Sequence, residues 1–258
     1  MTPWVRRLLI ANVAVFVAAP PPLGVLGLIP EGLAELLILV PARAPARPWT
    51  VITYQFVHAG FLHLLFNMIG LFFFGPRLEA RVGSGHFFAL YLVSGAFGAL
   101  LSVLTPNVAI VGASGAVFGV LLGFARYWPR ERILIYGIFP VEARILVIFL
   151  AAASIWGGVS GGGNVAHFAH LGGFVGGWSY LKLLERNSPA RKFRQKVEAG
   201  APSRPGARDL KRWEEVDRER LHPLNREEYD RVLDKARALG PPSLTFQERA
   251  FLERFTQD

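Results

Sequence analysis

The chain has 258 residues, a formal charge of +9, 52% hydrophobic and 18% charged residues, and no cysteine. Residues 1–181 carry 10 Lys+Arg and 5 Asp+Glu, whereas residues 182–258 carry 18 and 14. A single soluble domain is excluded, since such chains are about a quarter charged throughout, and so are disulfide frameworks, thiol nucleophiles and Cys-ligated metals. Six apolar helices are predicted, over about residues 4–19, 61–75, 86–104, 112–128, 144–159 and 164–184. Pro20-Pro21-Pro22, Gly83-Ser84-Gly85, Pro106-Asn107, Pro129 with Pro140, and Gly161-Gly162-Gly163 separate them. Several are shorter than the ~20 residues of an untilted span, so tilted or partly submerged helices are expected.

The first helix has a rival reading, because Arg6-Arg7, a short apolar run and Val17-Ala18-Ala19 also have the form of a signal peptide. Five further spans favour a retained helix. Residues 32–40, apolar with one charge, are expected to lie in the membrane interface. With a cytoplasmic N-terminus, the inside segments carry Arg6, Arg7, Arg77, Arg81, Arg126, Arg130, Arg132 and Arg144, and the outside loops only Arg43 and Arg47. This positive-inside pattern places both termini in the cytoplasm. The basic tail then needs no nucleic acid, because anionic lipid headgroups are its neighbours. The organisation read is a membrane domain over 1–184, a basic Pro/Ser/Gly linker over 185–208, and a small helical cytoplasmic module over 209–258. Asn225-x-x-Glu228 and Thr245-x-x-Glu248 have the form of capping boxes in that module. Its role, and any cytoplasmic partner, are not readable.

Polar residues inside spans are costly and therefore candidates for function. His63 and Asn67 lie four apart, on one helix face; interhelical hydrogen bonding is the plainer reading. Ser114, in Gly112-Ala113-Ser114-Gly115, opens the fourth helix, where free N–H groups and the positive dipole end suit a developing oxyanion. Yet Gly115, Gly119 and Gly123 also form a small-residue packing stripe that Ser114 would simply extend. His170 shares its helical stripe with Gly173 and Gly177, so a neighbouring backbone can approach its ring. Glu79 lies at the opposite end and reads as an ion pair or loop cap.

Clustered His63, His167 and His170 resemble zinc ligands. A hydrolytic metal site usually adds a carboxylate, and none occurs near the external half of these spans; no HExxH is present either. No metal or cofactor is therefore expected. A proton-coupled transporter lacks its intramembrane acid for the same reason. With no Asp before position 209, a Ser-His-Asp triad is excluded. A serine with a histidine and no acid remains.

Taken together, these segments resemble the rhomboid family of intramembrane serine proteases over about residues 4–184. The likeness rests on Gly112-Ala113-Ser114-Gly115, on the His-x4-His-x3-Asn spacing of His58, His63 and Asn67, on Ala-His-x-Gly-Gly-x-x-x-Gly over residues 169–177, and on Leu-Glu-x-x-x-Gly over residues 78–83. It implies an all-α membrane protein, a rhomboid-like bundle of six transmembrane helices with a small helical cytoplasmic tail, of the bacterial inner-membrane type. By resemblance Ser114 is the nucleophile and His170 the base. His63, Asn67 and the Ser114 N–H form the oxyanion site, with Gly112 stabilising it. Phe118 stands against the histidine, with Gly173 and Gly177 supporting, and residues 157–163 match a mobile cap. The implied substrates are transmembrane segments of membrane proteins, cleaved near the external face through an acyl-enzyme. The alternative is a non-catalytic relative that binds client helices. Two departures are Trp49-Thr50, where relatives often have Trp-Arg, and Phe118, which lacks the phenolic hydroxyl of some relatives.

Overall fold

The computed structural model describes residues 1–135, 137–160, 166–188 and 205–256, in two compact units, Met1–Ser188 and Pro189–Asp258. The first unit contains α1 (Pro3–Ala18), α2 (Glu31–Leu37), α3 (Thr50–Thr53), α4 (Phe61–Val82), α5 (Ser84–Leu101), α6 (Ser114–Tyr127), a hairpin of β1 (Arg132–Ile135) and β2 (Phe139–Glu142), α7 (Ala143–Val159) and α8 (His167–Arg186). The six long helices fall on the six predicted apolar segments. By length and composition, Phe61–Val82 and Ser84–Leu104 are each able to cross a membrane, and α6 and α7 are shorter apolar helices. Outward-facing Ile10, Phe66, Phe73, Ile148, Phe149 and Trp156 are each more than 60% exposed. Water would penalise such a belt, and lipid does not.

Helix α6 is central, with nine of its 14 residues buried. On one side lies the core of Val5, Leu8, Leu71, Leu78, Phe87 and Tyr91. Helix α1 is tied in at its start: Trp4 N and Val5 N donate to the Glu79 carboxylate at 3.0 and 2.9 Å, and Ser84 Oγ donates to it at 2.7 Å. Glu79 is therefore a cap for a neighbouring helix rather than half of an ion pair. These bonds also explain why α4 runs seven residues beyond its predicted end at Gly75. Pro76 removes one N–H from the ladder, but fully buried Leu78 and the Glu79 cap hold the following turn helical. Only Gly83, at φ +89°, breaks the chain before α5.

The segment between α6 and α7, read as a proline-broken loop, is an antiparallel hairpin pairing Arg132 with Glu142 and Leu134 with Pro140. Pro140 is tolerated because a two-stranded ribbon has only edge strands. Helix α2 occupies the stretch expected at the interface. The loop after it is held without an arginine at position 50: Trp49 Nε1 donates to Leu36 O at 2.8 Å, and Thr53 Oγ1 to Leu37 O at 3.0 Å. The glycine break at 161–163 and the start of the sixth predicted span at 164–165 lie outside the described residues.

The second unit contains α9 (Ala207–Glu214), α10 (Pro223–Leu239) and α11 (Phe246–Glu253), around Trp213, Tyr229, Val232, Leu233, Ala236 and Leu252. Helix α9 starts two residues before the predicted module, where Gly206 N donates to the Asp209 carboxylate at 2.8 Å. The Asn225-Glu228 box does not form. Pro223, with φ preset for a first turn, starts α10 after His222, which leaves Asn225 inside the helix and Glu228 paired with Arg231. The Thr245-Glu248 box is present: Thr245 Oγ1 accepts from Glu248 N at 3.2 Å, and Glu248 accepts from Thr245 N and Lys235 Nζ at 2.8 Å. Residues 205–256 hold 11 Lys+Arg and 11 Asp+Glu, so the module itself is not basic; the cationic excess belongs to residues 187–204.

Lys235 and the Thr245 N–H hold the Glu248 carboxyl down at about 2, against an ordinary 4.5. Its contribution to α11 is complete above pH 5 or so and is lost as the pH falls toward 2. Amide protection over residues 246–253 in the full chain, taken relative to the intrinsic exchange rate at each pH, is expected to fall across that window, and Glu248→Gln to flatten the dependence. Thr245→Ala is expected to cost about 1 kcal/mol at neutral pH by the same measurement.

Candidate active site

The turn before α6 is built by long-range bonds. Gly112 has φ +110°, and a Cβ there would stand 2.5 Å from His63 Nε2, so the position needs glycine on both counts. Gly112 N donates to Tyr54 O at 2.9 Å. Ala113 N donates to His58 Nε2 at 3.4 Å. Ser114 then opens α6, where first-turn N–H groups have no intrahelical acceptor and the dipole end is positive.

His170 stands in the first turn of α8, and the approach of α8 to α6 is set by absent side chains. A Cβ on Gly173 would overlap the Gly115 carbonyl oxygen, and one on Gly177 would lie 2.8 Å from Gly119 Cα. On the adjoining flank, a Cβ on Gly172 would lie 2.7 Å from Gly98 Cα of α5, and one on Gly176 3.0 Å from Ser94 Cα. At this separation His170 Nε2 and Ser114 Oγ are 2.8 Å apart. The Phe118 ring stacks on the imidazole, with centroids 4.2 Å apart and planes 20° from parallel. Phe174 supports Phe118 at 5.0 Å. His167 meets His170 edge-on at 6.4 Å.

His63 and Asn67 come from α4. The His63 ring lies against Gly112, and Asn67 Nδ2 donates to His63 O at 2.8 Å. An amide carries two N–H bonds, so the second is left for another acceptor. Ser114, His170 and His63 are half-buried and Asn67 is buried. Among the described residues no carboxylate bonds to His170 and no group of His, Asp and Glu is arranged to hold a metal ion. For Nε2 to accept the Ser114 proton, the imidazole proton must sit on Nδ1. Stacking on Phe118 and the place of His170 in the first turn of α8 fix the orientation of the imidazole.

The sequence-selected residues Ser114, His170, Phe118, His63, Gly112, Gly173 and Gly177 thus meet in one place, with Asn67 one turn along α4 from His63. Tyr54 and His58 were not singled out for a role, although they carry the turn before the serine. Tyr54 also donates through its hydroxyl to Gly95 O at 2.7 Å. His58 is present in the histidine-asparagine spacing and offered a signal; nothing local marks Tyr54, whose bonds reach positions 41 and 58 residues away.

This fold and site coincide with a family match. The chain belongs to the rhomboid family: a Rhomboid domain model matches residues 45–187, which makes it an integral membrane protein. It is 35% identical over 156 residues to Rhomboid protein 1, mitochondrial, of Saccharomyces cerevisiae, covering 55% of this chain and 44% of that protein. It is 35% identical over 151 residues to Rhomboid-like protease 3 of Toxoplasma gondii, covering 55% of each. Against Putative rhomboid protease YdcA of Bacillus subtilis it is 35% identical over 132 residues, covering 50% of this chain and 64% of that protein. The chain spans about half the length of the curated relatives it matches.

Proposed function

We propose that this chain is an intramembrane serine endopeptidase acting through a Ser114-His170 dyad on transmembrane segments of other membrane proteins. The 2.8 Å contact between His170 Nε2 and Ser114 Oγ, at a helix N-terminus, carries the reading. His170 takes the hydroxyl proton as Oγ attacks the peptide carbonyl. The oxyanion is held by the Ser114 N–H with His63 and Asn67. His170 then gives its proton to the departing amine, and water, activated by the same imidazole, hydrolyses the acyl-enzyme. A helical substrate hides its carbonyls in the hydrogen-bond ladder, so segments with Gly or Pro near the cut are preferred. On this reading Ser114 lies toward the external face of a bacterial inner membrane, with both termini and the α9–α11 module in the cytoplasm, an orientation that the positive-inside pattern supports.

A fluorophosphonate probe in detergent tests this reading. Expected is labelling of folded protein on the peptide containing Ser114, absent in Ser114→Ala and His170→Ala. Failure to label folded wild-type protein would favour a non-catalytic client-binding relative. Asn67→Ala is expected to lower the cleavage rate about 10²–10³-fold without loss of labelling-competent fold, the usual effect of removing one oxyanion donor. Unchanged kcat would remove Asn67 from the site.

A further inference from the structure

Helix α6 rises about 20 Å from Ser114 to its C-terminus, and at that far end the bundle carries a feature that peptide cleavage does not use. An open cleft of about 840 Å³ is lined by Trp128, Pro129, Arg130, Glu131, Arg132 and Arg144. Its frame is fixed: Ala143 N donates to Glu131 O at 2.9 Å, and Arg144 N to Pro129 O at 3.1 Å. Both acids near it are already engaged, Glu131 with Arg77 at 2.9 Å and Glu142 with Arg144 at 2.7 Å. Arg77 also lies over the Trp128 ring, 4.3 Å from its centroid. Arg130 and Arg132 are exposed, and neither has an ion-pair partner among the described residues.

The hairpin rising from this cleft supplies the second half of the argument. Ile133 packs with Phe124, Ala125 and Ala143, which fixes the base of the ribbon to α6 and α7. Toward its tip, Leu134, Ile138 and Phe139 are 60–71% exposed. A cationic base and an apolar tip on one short ribbon match a ligand that is anionic at one end and apolar at the other. The same end of the bundle has cations over aromatic rings, Arg7 on Trp4, Arg81 on Tyr127 and Lys182 on Trp178, the pairing expected where helices meet headgroups.

We propose that this cleft binds the headgroup of an anionic phospholipid, with its phosphate held by Arg130 and Arg132 and its acyl chains against Leu134, Ile138 and Phe139. Guanidinium forks match phosphate oxygens in pairs, and basic pockets at a membrane face take such headgroups. The test titrates the purified full chain in neutral detergent with phosphatidylglycerol or phosphatidylcholine of the same acyl chains, read by native mass spectrometry. Phosphatidylglycerol is expected to bind at least about tenfold tighter. R130Q/R132Q should erase that preference, while R6Q/R7Q, which removes two cations from α1, should retain it. Phe139→Ser should weaken phosphatidylglycerol binding while leaving both arginines in place. Equal binding of the two lipids, equal loss in R6Q/R7Q, or binding of inorganic phosphate as tight as that of phosphatidylglycerol would overturn the proposal.

Discussion

Replacing Ser114 by alanine is expected to abolish cleavage of a synthetic transmembrane substrate, lowering the rate by about 10⁴-fold or more. The protein should remain folded, because among the described residues Ser114 Oγ bonds only to His170, and alanine is the better helix former at the start of α6. His170→Ala should fall to the same level. The double variant should fall no further than either single one, since groups that act as a unit lose nearly everything with the first removal. Rates are to be compared at equal folded concentration, with circular dichroism confirming helix content. Substantial turnover by either single variant would end the dyad assignment.

The second large effect concerns a residue with no reactive atom. Gly173→Ala would favour an isolated α8 by about 1 kcal/mol, from helix propensity alone. In the bundle the added methyl would meet the Gly115 carbonyl oxygen, a backbone atom with no flexible end to yield. Overpacking of this kind costs about 1–3 kcal/mol. It also separates α8 from α6 beside the 2.8 Å contact, and a displacement near 1 Å costs about 10²-fold in rate. Gly177→Ala, a turn further from His170, should reduce stability with a smaller loss of rate. Gly85→Ala in α5, where a Cβ meets nothing within 4 Å, is the control and should be neutral or mildly stabilising. Wild-type activity and melting temperature in Gly173→Ala would show that the two helices do not depend on that contact.

The bundle is written in the sequence with unusual directness, because a bilayer demands long apolar runs and confines Pro, Gly and Arg to their ends. Where two local signals competed, tertiary contacts decided. Pro76 reads as a helix end, yet Glu79 reaches across to α1 and keeps α4 going. Asn225 reads as a cap, yet Pro223 fixes an earlier start. The β1–β2 hairpin was not legible, because four-residue strands carry too little alternation to stand out, and Pro140 falls inside the second of them. The candidate site divides along the same line. Ser114, His170, His63 and Asn67 were visible as costly polar groups in apolar helices, and the glycine stripes as the reason two backbones could meet. Tyr54 and His58 act through backbone bonds to distant turns, and such bonds leave no periodic trace.

Helix α6 has 14 residues and α4, beside it, has 22. The first rises about 20 Å and the second about 30 Å, close to the thickness of a hydrocarbon core. Helix length here works as a depth gauge: with the arginine-bearing ends level at one face, the serine-bearing end stops about a third of the core short of the other. For the hydrolysis proposed above, that shortfall leaves room for water to reach Ser114 from the nearer face. Lengthening α6 by one turn would raise Ser114 by about 5.4 Å and move the cut along any segment threaded past it.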